Sequence, residues 1–226
     1  MSISIIIPTL NEALELPKTL SVLQALRGND VEIIVVDGGS GDKTLQLAKQ
    51  YADCVISSEK GRAKQMNRGA EAAMGDVLLF LHADTTLSPD AYSSLIEIDE
   101  VLPYWGRFNV RLDGSQFIFR IIEKMMNTRS CFTSIATGDH AMFVSKELFV
   151  QVGGYPEIDL MEDIAISKKL KQKAPLICIS ESVVTSSRRW QKKGVIRTVL
   201  FMWCLRLAYL LNRNSSVLAK LYSQSQ

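Results

Sequence analysis

From Ile3 to Leu81, short apolar runs of strand length alternate with segments of helical periodicity. Residues 3–8 read as a buried strand. Pro17, at a first helical turn, then opens a helix with Leu16, Leu20, Leu23 and Leu26 on one face. Residues 31–36 form a second strand, and Gly38-Gly39-Ser40-Gly41 turns the chain into a helix carrying Leu45 and Ala48. A short strand at 54–57, a helix at 62–73 and a strongly apolar strand at 77–81 complete the series. Parallel strands need crossover connections, and helices supply them, so this alternation predicts an α/β fold with a mostly parallel sheet covered by helices. Ligands of such sheets bind beyond the carboxyl ends of the strands.

The pattern changes after Pro103. Residues 107–112 alternate like a strand, 117–126 read as a helix and 141–144 as a further strand. Gly153-Gly154-Tyr155-Pro156 makes a sharp turn, and Glu162-Asp163 opens a helix to about residue 171. Without a repeat or a linker, the economical division is one domain over 1–185 and a helical appendage over 186–226.

An apolar fraction of 47% and a net charge of +2 argue against disorder. Cys54, Cys131, Cys178 and Cys204 lie far apart with no metal spacing, which argues against a disulfide-stapled secreted scaffold and for a reducing cytoplasm. No basic segment precedes the first apolar run, so no signal peptide is expected. The charge is unevenly placed. Arg188, Arg189, Lys192, Lys193, Arg197, Arg206, Arg213 and Lys220 face no acidic residue after Ser186, while the preceding body is acidic. Such a tail suits phosphates or an anionic surface. Its basic residues are interleaved with apolar ones and carry no zinc motif, which argues against nucleic acid.

The strand ends carry the candidate chemistry. After the first strand come Pro8, Thr9, Asn11 and Glu12; after the second, Asp37-Gly38-Gly39-Ser40; after the fourth, His82-Ala83-Asp84. Asp37 at a strand end suits a nucleobase or ribose, and capping of the next helix by Asp37 or Asp42 is the plainer alternative. His82 and Asp84, two apart, are positioned to face one Mg²⁺ or Mn²⁺; Asp84 also fits a helix cap, although Ser88 is the better one. Glu162 and Asp163 at a helix start suit the macrodipole, and either carboxylate there suits a general base. Arg62 and Lys64 oppose the dipole of their helix, as a diphosphate ligand or a solvated face would explain.

Taken together, these residues resemble a family-2 glycosyltransferase of the GT-A fold. Ile7-Pro8-Thr9-Leu10-Asn11-Glu12 is similar to the family's opening motif, and Asp37 to Thr44 to its nucleotide-binding loop. His82-Ala83-Asp84 stands at the metal-binding DxD, Gly153-Gly154-Tyr155 at a common turn and Glu162-Asp163 at the ED motif. More narrowly, Gly61-Arg62-Ala63, Gln65-Met66-Asn67 and Arg188-Arg189-Trp190 resemble a bacterial subgroup described as radical-SAM/selenodomain-associated. The resemblance implies that Pro8, Thr9, Glu12 and Asp37 hold the nucleoside of a nucleotide-diphospho-sugar, UDP- or GDP-linked, with Arg62 and Asn67 near base or diphosphate. It implies Asp84 on a Mg²⁺ or Mn²⁺ ion and Asp163 as the base of an inverting transfer, with Glu162 in support. Arg188 and Arg189 read as a phosphate clamp, and His140 as an acceptor contact or a structural histidine. His82 replaces the first Asp of DxD, Gly38 the second Asp of the nucleotide loop, and Ser186 the Gln of QxxRW.

Two other readings stand beside it: a nucleotidyltransferase, whose Gly-rich phosphate loop is missing after the first strand, and a catalytically silent sugar-nucleotide-binding scaffold. Residues 195–211 form an apolar helix interrupted by Arg197 and Arg206, too short between charges for the ~20 residues that span a bilayer. Having no clean polar face, it is expected to be covered by the body, by a second subunit in a homodimer, or by peripheral contact with lipid, which would fit a lipid-linked acceptor.

Overall fold

The computed structural model describes residues 1–28, 30–98, 103–211, 213 and 215–224. Its N-terminal half follows the predicted alternation: β1 (Ile3–Thr9), α1 (Leu16–Leu23), β2 (Val31–Asp37), α2 (Thr44–Tyr51), β3 (Cys54–Ser57), α3 (Arg62–Ala72) and β4 (Val77–Phe80). These strands lie side by side and parallel, with Thr9 level with Asp37. The carboxyl ends of β1 and β2 therefore share one edge. Alternation along each strand divides the core between the two faces of the sheet. Ile5, Ile7, Val35 and Leu79 pack with Leu16, Leu20 and Leu23 of α1, whereas Ile6, Val36 and Phe80 pack with Ala63, Met66 and Ala70 of α3.

The second half adds β5 (Thr85–Thr86), α4 (Pro89–Ile96), β6 (Trp105–Leu112), α5 (Phe117–Thr133), β7 (Met142–Ser145), α6 (Lys146–Gln151), α7 (Glu162–Leu170) and β8 (Leu176–Thr185). Ser88 caps α4, as expected, its hydroxyl accepting from the Ala91 N–H at 3.1 Å. One eight-stranded sheet results, ordered β3-β2-β1-β4-β7-β6-β8-β5, with β7 antiparallel to β4 and to β6 and β5 antiparallel to β8. Helix α5 runs further than its apolar pattern suggests, to a left-handed cap at Ser134. β8 has no counterpart among the predicted strands, since Ser180-Glu181-Ser182 breaks its apolar run where its pairing with β6 shifts register.

The register also explains a correction. Cys178 on β8 lies opposite Arg107 on β6, and Arg107 Nη2 reaches Cys131 Sγ of α5 at 2.7 Å. Cys131 and Cys178 form a disulfide across 47 residues, with Cα atoms 6.2 Å apart. Their spacing therefore gives no argument for a reducing compartment. Cys54 and Cys204 are free.

Three helices follow β8: α8 (Arg188–Lys193), α9 (Val195–Leu210) and α10 (Ser215–Gln224). Leu205 of α9 and Leu218 of α10 bury themselves against Met161 and Ile164 at the start of α7. The other side of α9 is bare: Leu200, Trp203, Leu207 and Leu210 are all more than half exposed. The body thus covers α9 on one side only. Among the described residues no helix is long and apolar enough to cross a membrane.

Candidate active site

At the end of β1 and β2 the carboxylate of Asp37 is nearly buried and turned into its own loop. Its Oδ2 accepts the N–H groups of Gly39 (3.0 Å) and Ser40 (2.9 Å). The Thr9 side chain is equally buried, and Asp42 accepts the Thr44 N–H at 2.9 Å. Both aspartates therefore brace the loop locally. Beneath it lies Gln65, a residue the motifs contain but to which no role was assigned. Its Nε2 donates to the carbonyls of Thr9 and Val36, both at 2.8 Å, tying α3 to the two strand ends. A Cβ at Gly38 would come within 3.0 Å of the Gln65 side chain. The missing second Asp of the loop and the buried glutamine thus go together.

Asp84 and His82 do not converge. Asp84 lies 3.4 Å from Arg188 Nη2, which also donates to both oxygens of Glu12 (3.1 and 2.9 Å), while Arg188 Nη1 is 3.9 Å from Glu15. His82 Nδ1 instead lies 3.5 Å from Asp139 Oδ1. Each side chain thus pairs with a different neighbouring segment. No group of three or more His, Cys, Asp or Glu side chains fit to hold a metal occurs among the described residues. What Asp84 and Glu12 offer is a pair of partly exposed hard-oxygen donors with one guanidinium across them. That suits Mg²⁺ or Mn²⁺ only with phosphate and water completing the shell.

A cleft opens between this edge and the start of α7, lined by Pro8, His82, Thr137, Gly138, Glu162 and Asp163, among others. Met161 turns the chain into α7 at φ +69°, a left-handed conformation costly for a non-glycine residue, and so brings Glu162 and Asp163 to the cleft. Asp163 is fixed by two backbone donors, Ile164 N–H at 2.7 Å and Gly138 N–H at 3.1 Å. Gly138 has no room for a side chain, since a Cβ there would fall 2.3 Å from His82 Nε2. Burial, with Asp163 beside it, pushes the Glu162 carboxyl up. Desolvation pulls Asp139 up as well, but His82 and Arg62 outweigh it and hold that carboxyl well below the usual range.

Arg62, exposed at the first turn of α3, lies in the field of Glu162, Asp139 and Asp163, which keep it firmly protonated against desolvation. Asn67 is not available to a ligand as expected: its Nδ2 donates to Tyr155 O and its Oδ1 accepts the Tyr155 N–H, both at 2.9 Å. It clips α3 to the 153–156 turn. His140 is fully buried with Nδ1 2.9 Å from Thr137 Oγ1, beneath the 138–140 turn rather than in the cleft. Burial, with Arg107 next, lowers its pKa to about 3. The Arg189 side chain lies outside the described residues.

A sheet whose parallel half ends in a loop-bound Asp37 and an Asp84–Glu12 pair, extended by strands that bring Glu162-Asp163 opposite, is a GT-A fold. The family model for Glycosyl transferase family 2 matches residues 4–147, and the chain belongs to that family. Membership favours a glycosyl-transfer reading over the nucleotidyltransferase one. It is 43% identical over 91 residues to a PGL/p-HBAD biosynthesis glycosyltransferase of Mycobacterium tuberculosis, covering 37% of this chain and 36% of that one. It is 26% identical over 182 residues to an uncharacterized glycosyltransferase of Haemophilus influenzae, covering 75% and 62%. The chain thus spans less than two thirds of the length of either relative. Among solved structures it resembles the mannosyltransferase PcManGT of Pyrobaculum calidifontis in complex with GDP-Man and Mn²⁺, with TM-score 0.69 and 18% identity over 91% of this chain and 60% of that one. It also resembles S. aureus TarS 1–349 in complex with UDP-GlcNAc, with TM-score 0.68 and 20% identity over 82% and 58%.

Proposed function

We propose that the chain transfers a sugar from a UDP- or GDP-linked donor to an acceptor hydroxyl, with inversion at the anomeric carbon. The observation that carries this reading is Asp163, held by two backbone N–H groups in a cleft that Pro8 and His82 also line. Pro8, Thr9, Glu12 and Asp37 cradle the nucleoside, Asp37 by bracing the loop at 38–41. Arg62 and Arg188 meet the diphosphate. Asp84 would hold a Mg²⁺ or Mn²⁺ ion, which would supply charge neutralisation to the leaving diphosphate. Asp163 takes the proton of the attacking hydroxyl as the new C–O bond forms and the bond to the diphosphate breaks. Glu162, its neighbour at the start of α7, supports Asp163. Peripheral contact with an anionic membrane through α9 and α10 belongs to the same reading, which suits a lipid-linked acceptor.

The test is a thermal-shift panel of UDP- and GDP-sugars with and without Mn²⁺, followed by Asp163→Asn. One donor class should raise the melting temperature, and the raise should vanish in Asp84→Ala. Asp163→Asn should keep that shift and lose transfer by about 10²–10⁴-fold, the contribution of a general base. Turnover retained in Asp163→Asn would remove it as the base.

A further inference from the structure

Three arginines of one neighbourhood, Arg107, Arg129 and Arg206, each bury a donor that meets nothing, and of these Arg107 has its Nη2 engaged elsewhere. Arg129 projects from α5, one turn before the loop that leads to Gly138, and its Nη2 is buried with no hydrogen-bond partner. Arg206 projects from α9, next to the Leu205 that is buried against Met161 and Ile164, and its Nε is likewise buried and unpaired. Neither guanidinium forms an ion pair within 4.0 Å among the described residues. A buried, unsatisfied charged donor is costly, so two that act on each other and share Asp163 and Asp139 as neighbours call for an occupant.

The surroundings define that occupant. Burial, with Arg206 next, pulls Arg129 down to about 10, and burial pulls Arg206 down too; Asp163 and Asp139 act on both but do not compensate. Arg107, the third arginine in this neighbourhood, is already engaged through Nη2 with the Asn127 carbonyl at 2.9 Å. The pair Arg129–Arg206 therefore lacks negative charge, on the side of the cleft that belongs to Asp163 rather than to the Asp84–Glu12 edge.

We infer that Arg129 and Arg206 form an anion subsite that binds a phosphomonoester on the acceptor, close to Asp163. This rests on the glycosyl-transfer reading and names the acceptor's class within it. Two guanidinium forks match the charge and the oxygens of a phosphate dianion. The same chemistry arises from a soluble phosphate ester or from a lipid phosphate. Both helices also carry bare apolar stripes, Phe117, Ile121 and Met125 on α5 and Trp203 and Leu207 on α9, so either source has access.

The experiment measures binding of glycerol 3-phosphate by calorimetry and flotation with phosphatidylcholine vesicles containing phosphatidic acid or, at matched content, phosphatidylglycerol. The full chain is compared with Arg129→Gln, Arg206→Gln and the double variant. The native chain should bind at least one phosphomonoester probe, and each single substitution should weaken it about tenfold or more, as expected for a charge-assisted hydrogen bond. Arginine-dependent binding of glycerol 3-phosphate assigns a soluble acceptor. Flotation with phosphatidic acid in excess of that with phosphatidylglycerol, the excess alone being lost in the arginine variants, assigns a lipid phosphate. Because neither donor has a partner to orphan, the substitutions should leave the melting temperature unchanged or raise it. Arg129→Lys, which keeps the charge but not the fork, is the second variant and must weaken binding as well. Equal binding by native and double-variant chains, or binding of neither probe by the native chain, overturns the subsite. The nucleotide-induced thermal shift should persist in every variant; its absence from a native chain that binds the phosphate probe would overturn the donor reading alone.

Discussion

His140 is buried neutral, with Nδ1 near Thr137 Oγ1 and Nε2 without a partner. Its pKa is near 3 in the fold against 6.5 in the open chain. Between those values the unfolded state binds a proton that the native state refuses, so stability falls as pH drops below 6.5 and is unaffected by this group above it. The slope approaches about 1.4 kcal/mol per pH unit. Glu162, pushed up by burial, acts with the opposite sign above its ordinary value, so the readout is a difference. Denaturant unfolding of native chain and His140→Gln from pH 7 to pH 4 should show the steeper acid loss only in the native chain; parallel curves would sink the assignment. At this scale sequence reading separates types of residue better than roles. Spacing places Glu12 and Asp84 after strand ends and Asp163 at a helix start, and there the structure has them, Arg188 joining the first two and the cleft taking the third. Asn67 and His140 sit in equally suggestive motifs, yet Asn67 is tied to the Tyr155 backbone and His140 Nδ1 to Thr137, contacts that only the tertiary fold supplies. The same holds for His82, whose pairing with Asp139 is invisible from the two-residue spacing to Asp84.

The start of α7 is held from both ends of the chain. Met161 sets it at a left-handed φ, Gly138 N–H fixes Asp163, and Leu205 of α9 with Leu218 of α10 closes over Met161 and Ile164. Helix α9 thus backs the start of α7. Leu205→Ala should cost about 2–3 kcal/mol, the lower part of the range for a buried leucine because this cluster is small and partly open. It should also lower kcat while leaving donor affinity unchanged, because the strand-end loop is braced separately by Asp37 and Gln65. A stability loss with native kcat would show that α9 merely covers the surface. The helical period locates α9, and the alternation locates β1 through β4, because each buries a face that its own residues define. The length of α5 and the existence of β8 are less legible, since α5 keeps Arg129 and Ser130 in its last turns and β8 interrupts its apolar run with Ser180-Glu181-Ser182.

Across the whole molecule the near-neutral charge separates into an acidic body and a basic C-terminal segment, and the fold gives that segment an outward side. Leu200, Trp203, Leu207 and Leu210 recur at helical spacing and form one exposed stripe, while Arg197 and Lys192, both exposed, stand beside it and Arg213 follows it. A stripe of this kind with cationic flanks has the form of an interfacial helix, whose binding joins apolar burial to attraction for anionic lipid. The expected behaviour is flotation with phosphatidylglycerol vesicles at low salt and its loss at high salt, because exposed charges beyond ~10 Å are screened at 0.1 M. Trp203→Ser, at a position 59% exposed, should leave the fold intact and weaken vesicle binding about tenfold or more, the share of one large apolar side chain. If vesicles are not bound and the native chain instead forms a concentration-dependent dimer that Trp203→Ser dissolves, the stripe belongs to a second copy, and the membrane reading falls while the backing that α9 gives α7 on its other side stands.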